Sequence, residues 1–225
     1  MNFLSHYYFE RNNKNSYEVL GCLLPDLVKN ADKSWNLYPE KNTGVNYSKD
    51  GTSILNGWKR HLDVDKIFHN TTFFFFHQHT LKKGIKHILS DTVIKPFFIG
   101  HIGIELCLDH LLIRHNKINI RELYTHLEAV DPMEIEKFLL LNGISNPEKF
   151  STYFHSFKKE QYLKSYEEVG NLSYAIKRIC MRIWQEPLTD LQMNALTDAL
   201  DSYISHLKDN FMIIFDDIES QIIND

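Results

Sequence analysis

Three observations predict an all-α fold for this 225-residue chain. Glycine and proline are scarce, at 9 and 6 residues, well under the usual shares of about 7 % and 5 %, which leaves little turn chemistry for a many-stranded sheet. Apolar residues recur at three- and four-residue steps over long stretches, the period of an amphipathic helix. Helix-start signals stand in front of several of these stretches. A chain of this length buries about 70 % of the surface it exposes when unfolded, so a single domain over residues 1–225, a multi-helix bundle of seven to nine helices, is expected to hold without a disulfide or structural-metal staple.

The elements follow in order. Ser16 stands as an N-cap before the helix YEVLGCLLPDLVK. Residues Ala31–Ser53, rich in Asn, Lys, Gly and Ser with Pro39 inside, read as one long loop, of the length that lids and surface excursions near a site have. Gly57 to His69 reads as a helix, Phe73–Phe76 as core, and Gly100 to His110 as a second helix. Asp131-Pro132, with Glu134, opens the helix MEIEKFLLL. Leu196, Leu200, Tyr203, Leu207, Phe211, Ile214, Ile218 and Ile222 mark one face of a long amphipathic C-terminal helix, whose natural use is core packing. The expected layout therefore has a site-bearing portion at 1–115 and a helical remainder at 116–225.

Composition excludes several function classes. The net charge of −4 lacks the basic surface that nucleic-acid binding demands. Residues 59–117 nevertheless hold nine Lys/Arg against five acids, a local balance of +4 suited to an acidic or phosphorylated partner, with a solvated charged face as the plain alternative. Cys22, Cys107 and Cys180 lie in apolar stretches without paired spacing, as buried thiols in a reducing compartment do. The N-terminus lacks a basic flank and an apolar signal core, and no uncharged run approaches bilayer length. A cytoplasmic protein with no membrane span is expected.

The chemistry lies in two ladders. His61, Asp65 and His69 fall at i, i+4 and i+8, one stripe along a helix. His101, Glu105 and Asp109 repeat that spacing with only apolar, glycine or cysteine residues between them, so this second helix should run through the interior. An ionised carboxylate cannot sit there uncompensated. The alternatives are a buried salt-bridge network and a metal site. The chain has only six arginines, of which Arg60 and Arg114 alone lie near the ladders, whereas histidine is abundant there; this favours a metal. His6 and Asp26, polar residues among apolar neighbours, fit the same chemistry. The metal ligands expected are His6, Asp26, His61, Glu105 and Asp109, N and O donors without thiolate, suited to manganese, iron or zinc. Asp65 and His101 are the candidates for base or ligand-orienting group, and Lys59, Arg60 and His69 for substrate contact. His77 and His79 are candidates for the mouth of a site.

These residues carry a resemblance. Met1-Asn-Phe-Leu-Ser-His6, Gly21-Cys-Leu-Leu-Pro-Asp26-Leu-Val, Gly57 through His61 to Asp65, and Glu105-Leu-Cys-Leu-Asp109-His110-Leu-Leu resemble the acyl carrier protein phosphodiesterase family, which is related to HD-domain metal-dependent phosphohydrolases. The likeness covers roughly residues 1–115. It implies an all-α, HD-domain-like fold and a divalent metal, typically manganese, with zinc or iron as alternatives. It further implies hydrolysis of the phosphodiester joining 4′-phosphopantetheine to a serine of acyl carrier protein, or of a related phosphate ester. By the same likeness His6, Asp26, His61, Asp65 and Asp109 are site residues, and Glu105 stands where the family tends to carry aspartate. The chain departs from the family in reading His61-Leu-Asp-Val-Asp65 where His-Arg-x-Ile-Asp is usual, in having His69 where an acid follows, and in a longer 31–53 loop. In the expected reaction a metal activates water while a carboxylate orients it, and Lys82, Lys83 and Lys86 meet the acidic carrier. The rival readings are a zinc phospholipase C-like hydrolase, from the His101-x-x-x-Glu105 spacing, and a non-enzymatic helical scaffold whose ladders form a buried polar network.

Overall fold

The computed structural model describes residues 1–185 and 188–223. These form eleven α-helices, two short 3-10 helices and no strand, so the all-α class holds while the helices are more numerous and shorter than expected. They are α1 (Phe3–Glu10), α2 (Ser16–Ala31), α3 (Lys49–His69), α4 (Thr72–Ile85), α5 (Pro96–Arg114), α6 (Ile120–Ala129), α7 (Pro132–Leu141), α8 (Glu148–Glu160), α9 (Val169–Trp184), α10 (Asp190–Leu207) and α11 (Met212–Ile223).

Local chemistry explains the boundaries. Asp131 caps α7 by accepting from the Met133 N–H, with Pro132 in the first turn, where a missing donor costs nothing. At α2 the cap is Asn15, whose side chain accepts from Tyr17 N–H, and Ser16 is already helical; an amide oxygen one residue earlier reaches the orphan donor equally well. The 31–53 loop is shorter than expected at both ends, since Ala31 closes α2, Lys49–Ser53 belong to α3, and Pro39–Lys41 make a 3-10 turn between them. The C-terminal stripe is carried by α10 and α11 rather than by one helix. Of the Phe73–Phe76 run only Phe74 is core, while Phe75 and Phe76 are exposed.

The chain divides into two compact units. The first comprises His6–Asp65 and Ile118–Leu163, in which α2 packs on α6 and α8, and α7 on α8. Its core is built of fully buried Leu20, Leu23, Leu24, Leu27, Ile54, Leu123, Leu127, Phe138 and Phe150, each contributing about 1.5–3 kcal/mol of burial. The second comprises Met1–Ser5, Lys66–Lys117 and the chain from Lys164 onward. Here α4, α5, α9 and α10 pack together over Leu81, Ile85, Ile99, Ile104, Leu108, Leu112, Leu172, Ile176, Leu196 and Leu200. All three cysteines are free and buried. By length and composition α5 would suffice to cross a membrane, yet 61 % of that apolar window is buried inside the protein and it carries Glu105 and Asp109, as a core helix can.

Candidate metal centres

In the first unit the site begins with a close helix contact. A Cβ on Gly57 would overlap the Glu18 carbonyl and stand 2.8 Å from Cys22 N and Gly21 Cα. Only glycine lets the α2 and α3 backbones approach this far. His61, one turn beyond Gly57, therefore reaches α2 and places Nδ1 2.8 Å from the Cys22 carbonyl oxygen. A carbonyl only accepts, so Nδ1 carries a proton, which leaves Nε2 as the nitrogen turned toward Asp65.

His6 stacks on His61, with ring centroids 3.7 Å apart and planes 17° apart. Asp65 closes the group: Oδ1 lies 3.3 Å from His6 Nε2 and Oδ2 lies 3.6 Å from His61 Nε2. The His6 ring is buried, its Nδ1 makes no hydrogen bond, and its Nε2 faces the Asp65 carboxylate. Burial, reinforced by His61 beside it, lowers its pKa to about 4, so it is neutral at physiological pH. Two imidazoles, that of His6 neutral, and a carboxylate, with donor atoms within 4.8 Å of one another, suit a divalent ion.

In the second unit a similar contact sets a second group. Gly100 lets α5 lie against α4, since a Cβ there would be 2.7 Å from the Gln78 carbonyl oxygen. His101 and Glu105, one turn apart on α5, meet His69, the last residue of α3. The His69 and His101 Nε2 atoms are 3.2 Å apart, and Glu105 Oε1 lies 3.3 Å from the first and 3.2 Å from the second. The Phe74 ring braces both imidazoles edge-on, at 4.9 and 5.0 Å between centroids. Burial pushes the Glu105 pKa up, but the Met1 amino group 3.4 Å away and hydrogen bonds from His101 and His69 hold it well below the usual carboxylate range.

The ladders are thus shared out differently from the sequence expectation. His61 and Asp65 join His6, whereas His69 joins His101 and Glu105. Asp109 lies in neither group: Oδ1 accepts from Ser5 N–H at 2.8 Å and Ser5 Oγ–H at 2.7 Å, and Oδ2 from Leu4 N–H at 3.1 Å, capping the first turn of α1. Asp26, partly buried on α2, also lies outside both groups. Lys59 is exposed, and Arg60 pairs with Glu10 at 3.6 Å. His77, with Phe76, His87 and Tyr203, lines a separate cleft of about 770 Å³ between α4 and α10, and His79 is exposed. The Cys22 carbonyl was not foreseen as a partner of His61.

No match is found among curated proteins or among solved structures. Residues 1–218 match the family described as acyl carrier protein phosphodiesterase, far past the 1–115 over which its motifs can be recognised by eye. With His6, His61 and Asp65 gathered from two of those motifs, the chain belongs to the acyl carrier protein phosphodiesterase family.

Proposed function

We propose that this chain is a metal-dependent phosphodiesterase that releases phosphopantetheine from acyl carrier protein, with a divalent ion held by His6, His61 and Asp65. The observation that carries the reading is the His6–His61–Asp65 group itself, a buried N, N, O donor set in a chain of this family. Bound there, the ion supplies a Lewis acid for a phosphoryl oxygen and lowers the pKa of water. The chain's own residues do the rest. The Cys22 carbonyl fixes the His61 tautomer, burial keeps His6 unprotonated, and Asp65, about one-third exposed, orients the attacking water. Water oxygen joins phosphorus, the bond from phosphorus to the serine oxygen breaks, and the serine oxygen takes up a proton. Lys59 offers an exposed positive charge to the phosphate, and Lys82, Lys83 and Lys86 offer theirs to an acidic carrier surface.

The test is incubation of holo acyl carrier protein with the purified chain, with manganese or with chelator, reading the mass lost by the carrier. Release of phosphopantetheine only with metal is expected. His61→Gln and Asp65→Asn should each lower turnover by at least about 100-fold, because each removes one of three ligands. Turnover untouched by chelator and by both substitutions would refute the assignment, and turnover of simple phosphodiesters alone would move the substrate while leaving the metal chemistry.

A further inference from the structure

We infer that His69, His101 and Glu105 form a second metal site that binds a zinc-type ion in tetrahedral geometry, independently of the phosphodiesterase reading, which places its metal in the other group. The first argument is dimensional. The three donor atoms form a nearly equilateral triangle with edges of 3.2, 3.3 and 3.2 Å. Around a tetrahedral ion with bonds of about 2.0–2.1 Å, ligand atoms stand about 3.3–3.4 Å apart. Around an octahedral magnesium with bonds of the same length, neighbouring ligands stand only about 2.8–3.0 Å apart. The edges of the triangle lie nearer the tetrahedral spacing than the octahedral one.

Proton accounting supplies the second argument. A neutral imidazole Nε2 either carries a proton or presents a lone pair. If both Nε2 atoms carry protons, two N–H groups crowd the 3.2 Å edge between His69 and His101. If only one does, the lone pair of the other faces Glu105 Oε1 at 3.2–3.3 Å. With Glu105 ionised, as the Met1 amino group 3.4 Å away favours, each of these neutral-imidazole assignments leaves one edge unfavourable, whereas a cation inside the triangle makes all three attractive.

Donor chemistry and access complete the case. Two imidazoles and one carboxylate suit zinc and its borderline neighbours rather than magnesium or calcium. His69 and His101 are about one-third exposed while Glu105 is largely buried, so solvent reaches the open side and the fourth position of the tetrahedron can take water. His101 and Glu105 are one helical turn apart, and Phe74 holds both imidazoles from the side. The corners are therefore set by packing as well as by their mutual contacts.

Cobalt(II), which absorbs visible light intensely in tetrahedral sites and weakly in octahedral ones, is the probe. Chelator-dialysed full-length protein is titrated with cobalt chloride, with metal content and circular dichroism measured in parallel. Wild type and His61→Gln are expected to develop an intense visible band that added zinc bleaches. His101→Gln and Glu105→Gln, tested separately so that one folding failure does not decide the matter, should each lose one equivalent of cobalt and that band while keeping helical dichroism. Uptake in both variants equal to wild type would overturn the inference, as would weak octahedral-type absorption alone in wild type. Phosphopantetheine release plays no part in this readout, so the two proposals fail separately.

Discussion

Burial and hydrogen bonding act on Asp109 in opposite directions. Its carboxylate accepts three hydrogen bonds from Leu4 and Ser5, yet complete burial dominates and raises its pKa to about 7. A carboxyl raised in the folded state above its unfolded value of about 3.9 stabilises the fold fully below that value and loses the contribution as pH rises through 7. Between pH 5 and 7 wild type should therefore lose about 2 kcal/mol through this group, from roughly 1.4 kcal/mol per pH unit. Asp109→Asn cannot ionise, so its stability relative to wild type should improve by that amount over the same interval. It should start lower at pH 5, because an amide cannot accept from all three donors. Urea unfolding at the two pH values checks both statements, and a difference independent of pH would contradict the raised pKa. Asp109 also shows what residue spacing can reveal. Eight residues of helix span about 12 Å, too far for one ion with bonds of about 2 Å to reach both ends of a ladder. Each ladder was legible as a stripe of ligand-type residues; its division after Asp65 on α3 and after Glu105 on α5 depends on which helices lie opposite, and that is a tertiary fact.

Helices meet where their surfaces allow it, and the glycines make this testable. Gly57→Ala would drive a methyl into backbone atoms of α2, which cannot rotate away as a side chain does. The helix crossing must open, at a cost of about 1–3 kcal/mol or more, and His61 should lose the Cys22 carbonyl. Gly84, on α4, is the control, because a Cβ there meets nothing within 4 Å and alanine gains up to about 1 kcal/mol of helix propensity. Thermal unfolding should move in opposite directions for the two, with metal affinity lowered only in Gly57→Ala; equal behaviour would show that the crossing is not what seats His61. Element existence was readable from periodicity and caps, as at Asp131, but element length was less so. The stripe from Leu196 to Ile222 runs through the break between α10 and α11 because Leu207, Phe211 and Ile214 keep their three- and four-residue steps across the turn. Asp209 and Asn210, which favour turns over helix interiors, are the local signal for the break.

At the scale of the whole molecule, the family match extends to residue 218, although the motifs end near residue 115. The later helices contribute apolar faces rather than ligands, and such faces resemble those of any helical core, so the motifs were legible where the broader likeness was not. Each metal group ties together positions far apart in sequence: His6 with His61 and Asp65, and His69 with His101 and Glu105. Donors so distributed are brought together only when the chain folds, so an ion held by them binds the native state and raises its stability by mass action. At a free concentration 100 times its dissociation constant, one ion contributes about 2.7 kcal/mol. For a chain of this size about 2–4 °C of Tm accompanies each kcal/mol, so saturation of one site should raise Tm by about 5–10 °C. Calorimetry of the full chain with chelator, with manganese and with zinc measures this directly. His61→Gln should remove the rise due to the first group and His101→Gln that due to the second. A Tm identical in chelator and in both metals would mean that neither group binds an ion in the folded protein, leaving the two clusters as hydrogen-bonded polar networks and the family likeness without its metal chemistry.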